Sequence, residues 1–129
     1  MDIILSIKPE YVNQIRFGNK KYEFRKTIFR NQSIDNVFIY ETAPTKKIVG
    51  FFKYSGYIKN TPIKLWEQLK KYAGIDECAF NNYFNARDIG YAIIIQDIQF
   101  YKIMIDPFNS IKNFFPPQSY FYFDGRAIQ

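Results

Sequence analysis

The sequence predicts an α+β fold: a small mixed β-barrel of about five to six strands with two to four short helices. The 129 residues are enough for one domain, residues 1–129, with a single buried core. A hydrophobic content of 47% and an aromatic content of 20% are typical of a folded globule rather than a disordered chain. Strand-like alternation recurs along the chain and is interrupted by short segments with helical periodicity, which favours a compact mixed barrel.

The first elements are a strand and a short helix. We predict a strand at residues 2–7, and a helix whose first residue is Pro9 and whose C′ residue is Gly18. A second strand is predicted at residues 20–26. Residues 27–35 have the composition of a loop.

The middle of the chain is predicted to form two strands and two helices. The strands are residues 37–41 and a long strand at residues 47–58, with Gly50 and Gly56 as bends. Thr61 caps the helix that follows, with Pro62 at its first position, and Gly74 ends it. A second short helix begins after Asp76, with Phe80, Tyr83 and Phe84 turned inward.

The last part of the chain is predicted to supply three strands. Residues 91–98 include three consecutive isoleucines, which is typical of a central strand buried on both faces. A further strand follows at residues 99–105, and then a helix or loop at residues 107–115. Residues 116–119 form a proline-containing loop before a closing edge strand at residues 120–123.

The net charge of +6 and the pI of about 9.3 suggest a polyanionic partner, with nucleic acid as the first candidate. Thirteen of the eighteen basic residues are lysine, and the abundance of Ile, Asn, Lys, Tyr and Phe is also what an AT-rich coding sequence produces. Part of the charge is therefore attributed to solubility and not to function.

Histidine is absent, and Cys78 is the single cysteine. This excludes an intramolecular disulfide, zinc sites built on Cys and His, and both Ser-His-Asp and Cys-His catalysis. We expect no metal and no cofactor. Residues 3–7 are too short an apolar run for a signal peptide or a membrane span, so we expect a cytoplasmic protein without a membrane partner.

Residues 18–26 carry the most distinctive pattern of the chain. In the predicted strand, Tyr22 and Phe24 share one face, while Lys21, Glu23 and Arg25 share the other. The spacing Gly-x-Lys-x-x-Glu-x-Arg resembles the signature of the ASCH domain family, a branch of the PUA-like β-barrels. The flanking segments 5–11, 37–40, 48–50 and 116–119 follow in the order found in small stand-alone ASCH proteins.

The resemblance implies a PUA-like barrel whose motif faces a cleft that binds RNA or a nucleotide. In that cleft Arg25 would contact a phosphate or a base edge in bidentate fashion, held by Glu23, while Lys20 and Lys21 would attract phosphate. The alternative is that Glu23 and Arg25 form an ordinary surface ion pair worth about 0–1 kcal/mol.

Four further residues are candidate ligand contacts: Lys8, Tyr40, Gln118 and Ser119. Tyr40 would lie beside the cleft and stack on a base, although most aromatic residues of such a chain belong to the core. Lys8 would contact a phosphate or else only be solvated at the helix start. Gln118 and Ser119 would read a base edge or form part of a rigid turn.

Three functions remain open at this stage. The first is a binding domain for RNA, single-stranded nucleic acid or a nucleotide. The second is a metal-independent hydrolase of single-stranded RNA or a modified nucleoside, with Lys20, Glu23 and Arg25 as catalytic residues. An acetylcytidine amidohydrolase branch of the superfamily uses a threonine where this chain has Glu23, which argues against that chemistry here. The third is a regulator that binds a protein partner.

Overall fold

The computed structural model describes residues 1–128 and shows a mixed α+β fold in which eight strands form two sheets. The strands are β1 (Asp2–Ile7), β2 (Tyr22–Arg25), β3 (Asn36–Glu41), β4 (Lys47–Lys53), β5 (Tyr57–Asn60), β6 (Gly90–Ile94), β7 (Gln99–Ile105) and β8 (Tyr120–Phe123). The α-helices are α1 (Pro9–Arg16), α2 (Pro62–Leu69), α3 (Glu77–Tyr83) and α4 (Pro107–Ser110), and 3-10 turns cover Lys70–Tyr72 and Gly125–Ile128.

The larger sheet has five strands in the order β7-β4-β3-β1-β8. β1 runs parallel to β3 and antiparallel to β8, which lies at the edge as predicted. Because parallel strands end on the same side of a sheet, the carboxyl ends of β1 and β3 lie together. The backbone N–H of Thr42, just after β3, donates to the carbonyl of Ile7 at 3.1 Å.

The smaller sheet has three strands in the order β2-β6-β5. β6 is its central strand, as predicted for the isoleucine-rich segment, although it ends at Ile94 and not at residue 98. α2 and α3 cover one face of this sheet with Leu65, Phe80 and Phe84, all of them buried. Trp66 packs against the same cluster, in agreement with its predicted core-facing position.

The main core connects the two sheets. It combines apolar side chains of β1 and β3 with Ile93 of β6 and with Phe29 from the segment between β2 and β3. A separate cluster on the opposite face of the larger sheet contains Ile4, Phe38 and Tyr40. β1 is therefore packed on both faces, because alternate residues of a strand point to opposite sides.

The predicted helix signals are present in the structure. The Thr61 side chain accepts from Lys64 N at 3.3 Å, and that of Asp76 accepts from Ala79 N at 2.8 Å, so both residues cap their helices. Gly18 follows the α1 cap residue Phe17 with a φ of +83°. This is the conformation expected of a C′ glycine.

Four expectations about the elements were wrong in detail. The helix that begins at Pro62 was expected to end at Gly74, but α2 ends at Leu69 and the 3-10 turn Lys70–Tyr72 follows it. The predicted strand 47–58 is two strands, β4 and β5, which belong to different sheets and are separated at Gly56, whose φ is +114°. The sequence assigned seven strand segments to a barrel of about five to six strands, and with this division the described residues contain eight strands. Tyr83 was expected to point inward but is 36% exposed, since it lies at the last turn of α3.

Candidate functional site

Lys20 lies at the entry to β2 and is buried. Its backbone forms an isolated β-bridge with Ala73, so the regular strand begins only at Tyr22. The ammonium group donates to the Ala73 carbonyl at 2.9 Å and lies 4.8 Å from the centre of the Phe24 ring. The side chain is 2% exposed, and burial lowers the pKa of Lys20, an effect that the carboxylate of Glu23 opposes and the charge of Arg25 reinforces.

Glu23 connects Lys20 to Arg25. One carboxylate oxygen lies 3.9 Å from Lys20 Nζ, and the other lies 2.9 Å from Arg25 Nη2. The side chains of Glu23 and Arg25 are each 11% exposed and that of Lys20 is 2% exposed, so all three are largely withdrawn from solvent. The pair is therefore not the exposed surface ion pair that the sequence left open as an alternative.

Arg25 links three parts of the chain. Its Nη2 donates to the carbonyl of Ser6 at 2.8 Å, and its Nη1 donates to the carbonyl of Ser119 at 3.2 Å. Ser6 Oγ donates in turn to the Pro117 carbonyl at 2.7 Å. Within residues 1–128 Arg25 Nε is buried without a hydrogen-bond partner. Arg25 thus fixes the 117–119 segment against the end of β1 and uses both terminal nitrogens to do so.

An open groove of about 540 Å³ adjoins this network. Tyr11 and Gly74 line it and also border Lys20, whose Nζ is 5.4 Å from the centre of the Tyr11 ring. The other lining residues are Glu10, Gln14, Asn19, Lys71, Ile75, Asp76 and Ala79.

The groove contains charges of both signs. Burial raises the pKa of Tyr11, and the carboxylates of Glu10, Asp76 and Glu23 add to that effect. The lining residues therefore combine the carboxylates of Glu10 and Asp76 with the ammonium group of Lys71. This groove does not confirm the basic cleft that the sequence suggested on the motif strand, because Lys20, Glu23 and Arg25 are not among its lining residues.

The remaining predicted site residues lie in different environments. Lys8 is the exposed N-cap residue of α1, and Lys21 is exposed beside β2. Gln118 is exposed, and Ser119 is half-buried next to Arg25. Tyr40 is 1% exposed and packs on Phe114 at 5.5 Å between ring centres. That position does not fit the expected stacking on a base, because the ring is enclosed by the core on the far side of the larger sheet.

The sequence alone did not point to Tyr11 or Gly74 as part of the site environment. A Cβ atom on Gly74 would lie 2.3 Å from Lys20 Cβ, so the absence of a side chain there makes room for the buried lysine. The strand pattern gave no sign of this contact, because Lys20 and Ala73 are 53 residues apart in sequence.

Two kinds of feature, a membrane-spanning helix and a metal-binding group of side chains, are absent from the described part of the chain. Within residues 1–128, no helix has the length and apolar character needed to cross a membrane. Across the same residues, no three or more Asp, Glu or Cys side chains are grouped so that they could hold a metal ion.

The ASCH domain family model matches residues 5–102, about three quarters of the chain. The chain belongs to the ASCH domain family. The match includes β2 with its Lys20, Glu23 and Arg25 side chains, and it confirms the family that the Gly-x-Lys-x-x-Glu-x-Arg spacing suggested.

Relatives with a name and a solved structure support the same assignment. The chain is 29% identical over 120 residues to the ASCH domain-containing ribonuclease of Zymomonas mobilis subsp. mobilis, covering 92% of this chain and 81% of that protein. The crystal structure of ASCH from Zymomonas mobilis superposes with a TM-score of 0.88 at 25% identity, over 98% of this chain and 90% of the other. A point variant of that protein gives the same TM-score and identity. The ASCH fold, and with it the PUA-like architecture, is therefore confirmed.

Proposed function

We propose that this ASCH domain binds single-stranded RNA and cleaves it. The observation that carries the proposal is the similarity to a ribonuclease over 92% of this chain. The network of Lys20, Glu23 and Arg25 supports it, because a carboxylate between two cations beside an open groove suits acid–base chemistry on an anionic substrate. Among the functions left open by the sequence, this choice favours the hydrolase over a domain that only binds.

The proposed reaction is attack of a ribose 2′-hydroxyl on the adjacent phosphorus. Glu23 accepts the 2′-hydroxyl proton, the 2′-oxygen bonds to phosphorus, and the bond from phosphorus to the 5′-oxygen breaks. The 5′-oxygen takes a proton from water, and the hydroxide formed takes the proton from Glu23, which restores the carboxylate. The products are a 2′,3′-cyclic phosphate and a 5′-hydroxyl. Glu23 is the catalytic residue in this scheme because its side chain is more exposed than that of Lys20, at 11% against 2%, and its carboxylate lies within 4.0 Å of both cations.

Lys20 and Arg25 have positioning roles in this proposal. Lys20 is almost fully enclosed, so it acts on Glu23 and on the local field rather than by touching the substrate. Arg25 orients the Glu23 carboxylate and holds the 117–119 segment through the Ser119 carbonyl. Gln118 and Ser119 are thereby fixed near the carboxylate, where they contact the nucleotide at the cleaved bond. Lys8, at the end of β1, is available to a flanking phosphate.

The test is incubation of the full chain with a mixed pool of single-stranded RNA in the presence of EDTA, with the products identified by mass spectrometry. We expect fragments that end in a 2′,3′-cyclic phosphate, and no cleavage of DNA of the same sequence, which lacks the 2′-hydroxyl. Glu23→Gln should lower the turnover rate by about 10²- to 10⁴-fold, the usual contribution of a general base.

Glu67→Gln is the control, because Glu67 is exposed on α2 and, within residues 1–128, forms no ion pair within 4.0 Å, unlike Glu23. It makes the same chemical change and should leave turnover at the wild-type level. If Glu23→Gln is folded by circular dichroism and keeps full turnover, the role of Glu23 is wrong. If the wild-type chain cleaves no RNA in the pool, the proposed function is wrong.

A further inference from the structure

Two lysines converge on one tyrosine beside the groove. Lys21 Nζ lies 4.1 Å from the centre of the Tyr72 ring, and Lys71 Nζ lies 5.5 Å from the same centre. The Lys21 backbone N–H also donates to the Tyr72 carbonyl at 2.9 Å, which ties the 3-10 turn Lys70–Tyr72 to the start of β2. We call Lys21, Tyr72 and Lys71 the lysine–tyrosine patch.

The positive charge of this patch is not neutralised by a neighbouring carboxylate. Within residues 1–128, neither Lys21 nor Lys71 forms an ion pair within 4.0 Å. Both lysines are exposed, and Tyr72 is half-buried. Two cations held near one ring repel each other, and the ring offsets this only in part. An anion bound between them would relieve the repulsion.

The patch is continuous with the groove, because Lys71 also lines it. Glu10 and Asp76 line the same groove, and so do the amide side chains of Gln14 and Asn19, which are hydrogen-bonded to each other at 3.1 Å. Phosphate is favoured at the lysine end and repelled by the carboxylates. Carboxylate and amide oxygens accept hydrogen bonds from the amino groups of bases.

We propose that the lysine–tyrosine patch binds a segment of single-stranded RNA that flanks the cleaved bond. On binding, the ammonium groups of Lys21 and Lys71 leave the Tyr72 ring and contact one phosphate. One base stacks on the ring face that they vacate, and a neighbouring base enters the groove towards Gln14 and Asn19. The inference deepens the proposed function by giving the site a second, separate contact with its substrate. It assigns Tyr72 the stacking role that the sequence had suggested for Tyr40.

The test measures binding without turnover. A fluorescent 12-nucleotide 2′-O-methyl RNA, which lacks the attacking hydroxyl, is titrated with the full chain by anisotropy at several salt concentrations. Lys21→Gln combined with Lys71→Gln should weaken binding and reduce the slope of log affinity against log salt by about 0.7, the value for one lost phosphate contact on a single strand. Tyr72→Ala should weaken binding by about five- to a hundredfold, and Tyr72→Phe should bind like the wild type.

Lys102→Gln combined with Lys112→Gln removes the same charge from exposed positions outside the patch and should leave the slope nearly unchanged. The inference is overturned if the Lys21 and Lys71 double variant keeps the wild-type slope of log affinity against log salt. It is also overturned if the Lys102 and Lys112 double variant loses as much of that slope. Failure of the wild type to bind the RNA also overturns it. Patch-dependent binding by a wild type that cleaves no RNA supports this inference while the proposed function fails.

Discussion

Lys20 and Lys21 are adjacent in sequence and identical in chemistry, yet they lie in opposite environments. Lys20 is 2% exposed, donates to the Ala73 carbonyl and approaches Glu23. Lys21 is exposed and lies against Tyr72. A charged side chain is normally kept out of the interior unless it is paired and hydrogen-bonded. The difference shows that one of the two cations belongs to an internal polar network and the other to the surface.

The two positions also differ in the cost of losing the side chain. Removing Lys20 leaves the Ala73 carbonyl without its donor and opens a space beside Phe24, while Glu23 keeps only Arg25 as a partner. Removing Lys21 takes away a solvated charge. Substitutions at one lysine at a time therefore test whether the two side chains contribute differently to folding stability.

The largest expected effect is on folding stability. Lys20→Ala should lower the free energy of unfolding by about 2–4 kcal/mol, because it leaves a cavity and an unsatisfied buried carbonyl. Lys21→Ala should change it by no more than about 0.5 kcal/mol. Urea unfolding of the two variants gives both values. Equal losses would show that Lys20 is not held in the interior.

A second and smaller effect concerns the glycine that makes room for Lys20. Gly74→Ala places a methyl group 2.3 Å from Lys20 Cβ at a φ of +63° and should cost about 2–3 kcal/mol. Gly18 also has a positive φ, +83°, but a Cβ atom added there would meet no atom within 4 Å. Gly18→Ala should therefore lower the free energy of unfolding by only about 1 kcal/mol. Thermal unfolding measures the difference, and equal costs would mean that Lys20 moves aside freely.

The smallest expected effect is a change in the free energy of unfolding with pH. Burial lowers the pKa of Lys20 below its ordinary value of 10.5, so the folded protein binds fewer protons than the unfolded chain between the two pKa values. The contribution of Lys20 to stability is therefore present above pH 10.5 and lost as the pH falls through the folded pKa. Unfolding of the wild type and Lys20→Met, measured across the alkaline range, should give a difference that shifts in favour of the wild type as pH rises.

Lys21→Met is the control for that experiment. Because Lys21 is exposed, the difference between Lys21→Met and the wild type should stay constant with pH. A difference that varies equally in both variants would show that the pH dependence arises from other groups, such as the tyrosines.

The sequence predicted the local structure well where a single residue type decides it. Pro9 and Pro62 begin their helices, Asp76 caps the next, and the strand at Tyr120–Phe123 is an edge strand as expected. Alternation in residues 22–25 also placed Glu23 and Arg25 together on one face, since a strand turns every second side chain to the same side.

The parts that depend on distant contacts were not predictable in the same way. The burial of Lys20 depends on Ala73 and Gly74, which no local pattern connects to it. The division of residues 47–58 between two sheets depends on pairing with β3 and β6, because the alternation is similar in both halves. Tyr40 lies in β3, whose last residue is Glu41, and the ring is buried against Phe114.

The bonds from Arg25 to Ser119 and from Ser6 to Pro117 join residues 94 and 111 positions apart. During synthesis on the ribosome, Ser6 and Arg25 are therefore translated long before Pro117 and Ser119, whose carbonyls accept their hydrogen bonds. A nascent chain halted before residue 117 would present the Arg25 guanidinium without one of its carbonyl acceptors, and would expose the edge of β1 that β8 later covers. We therefore expect such halted chains to depend on chaperones.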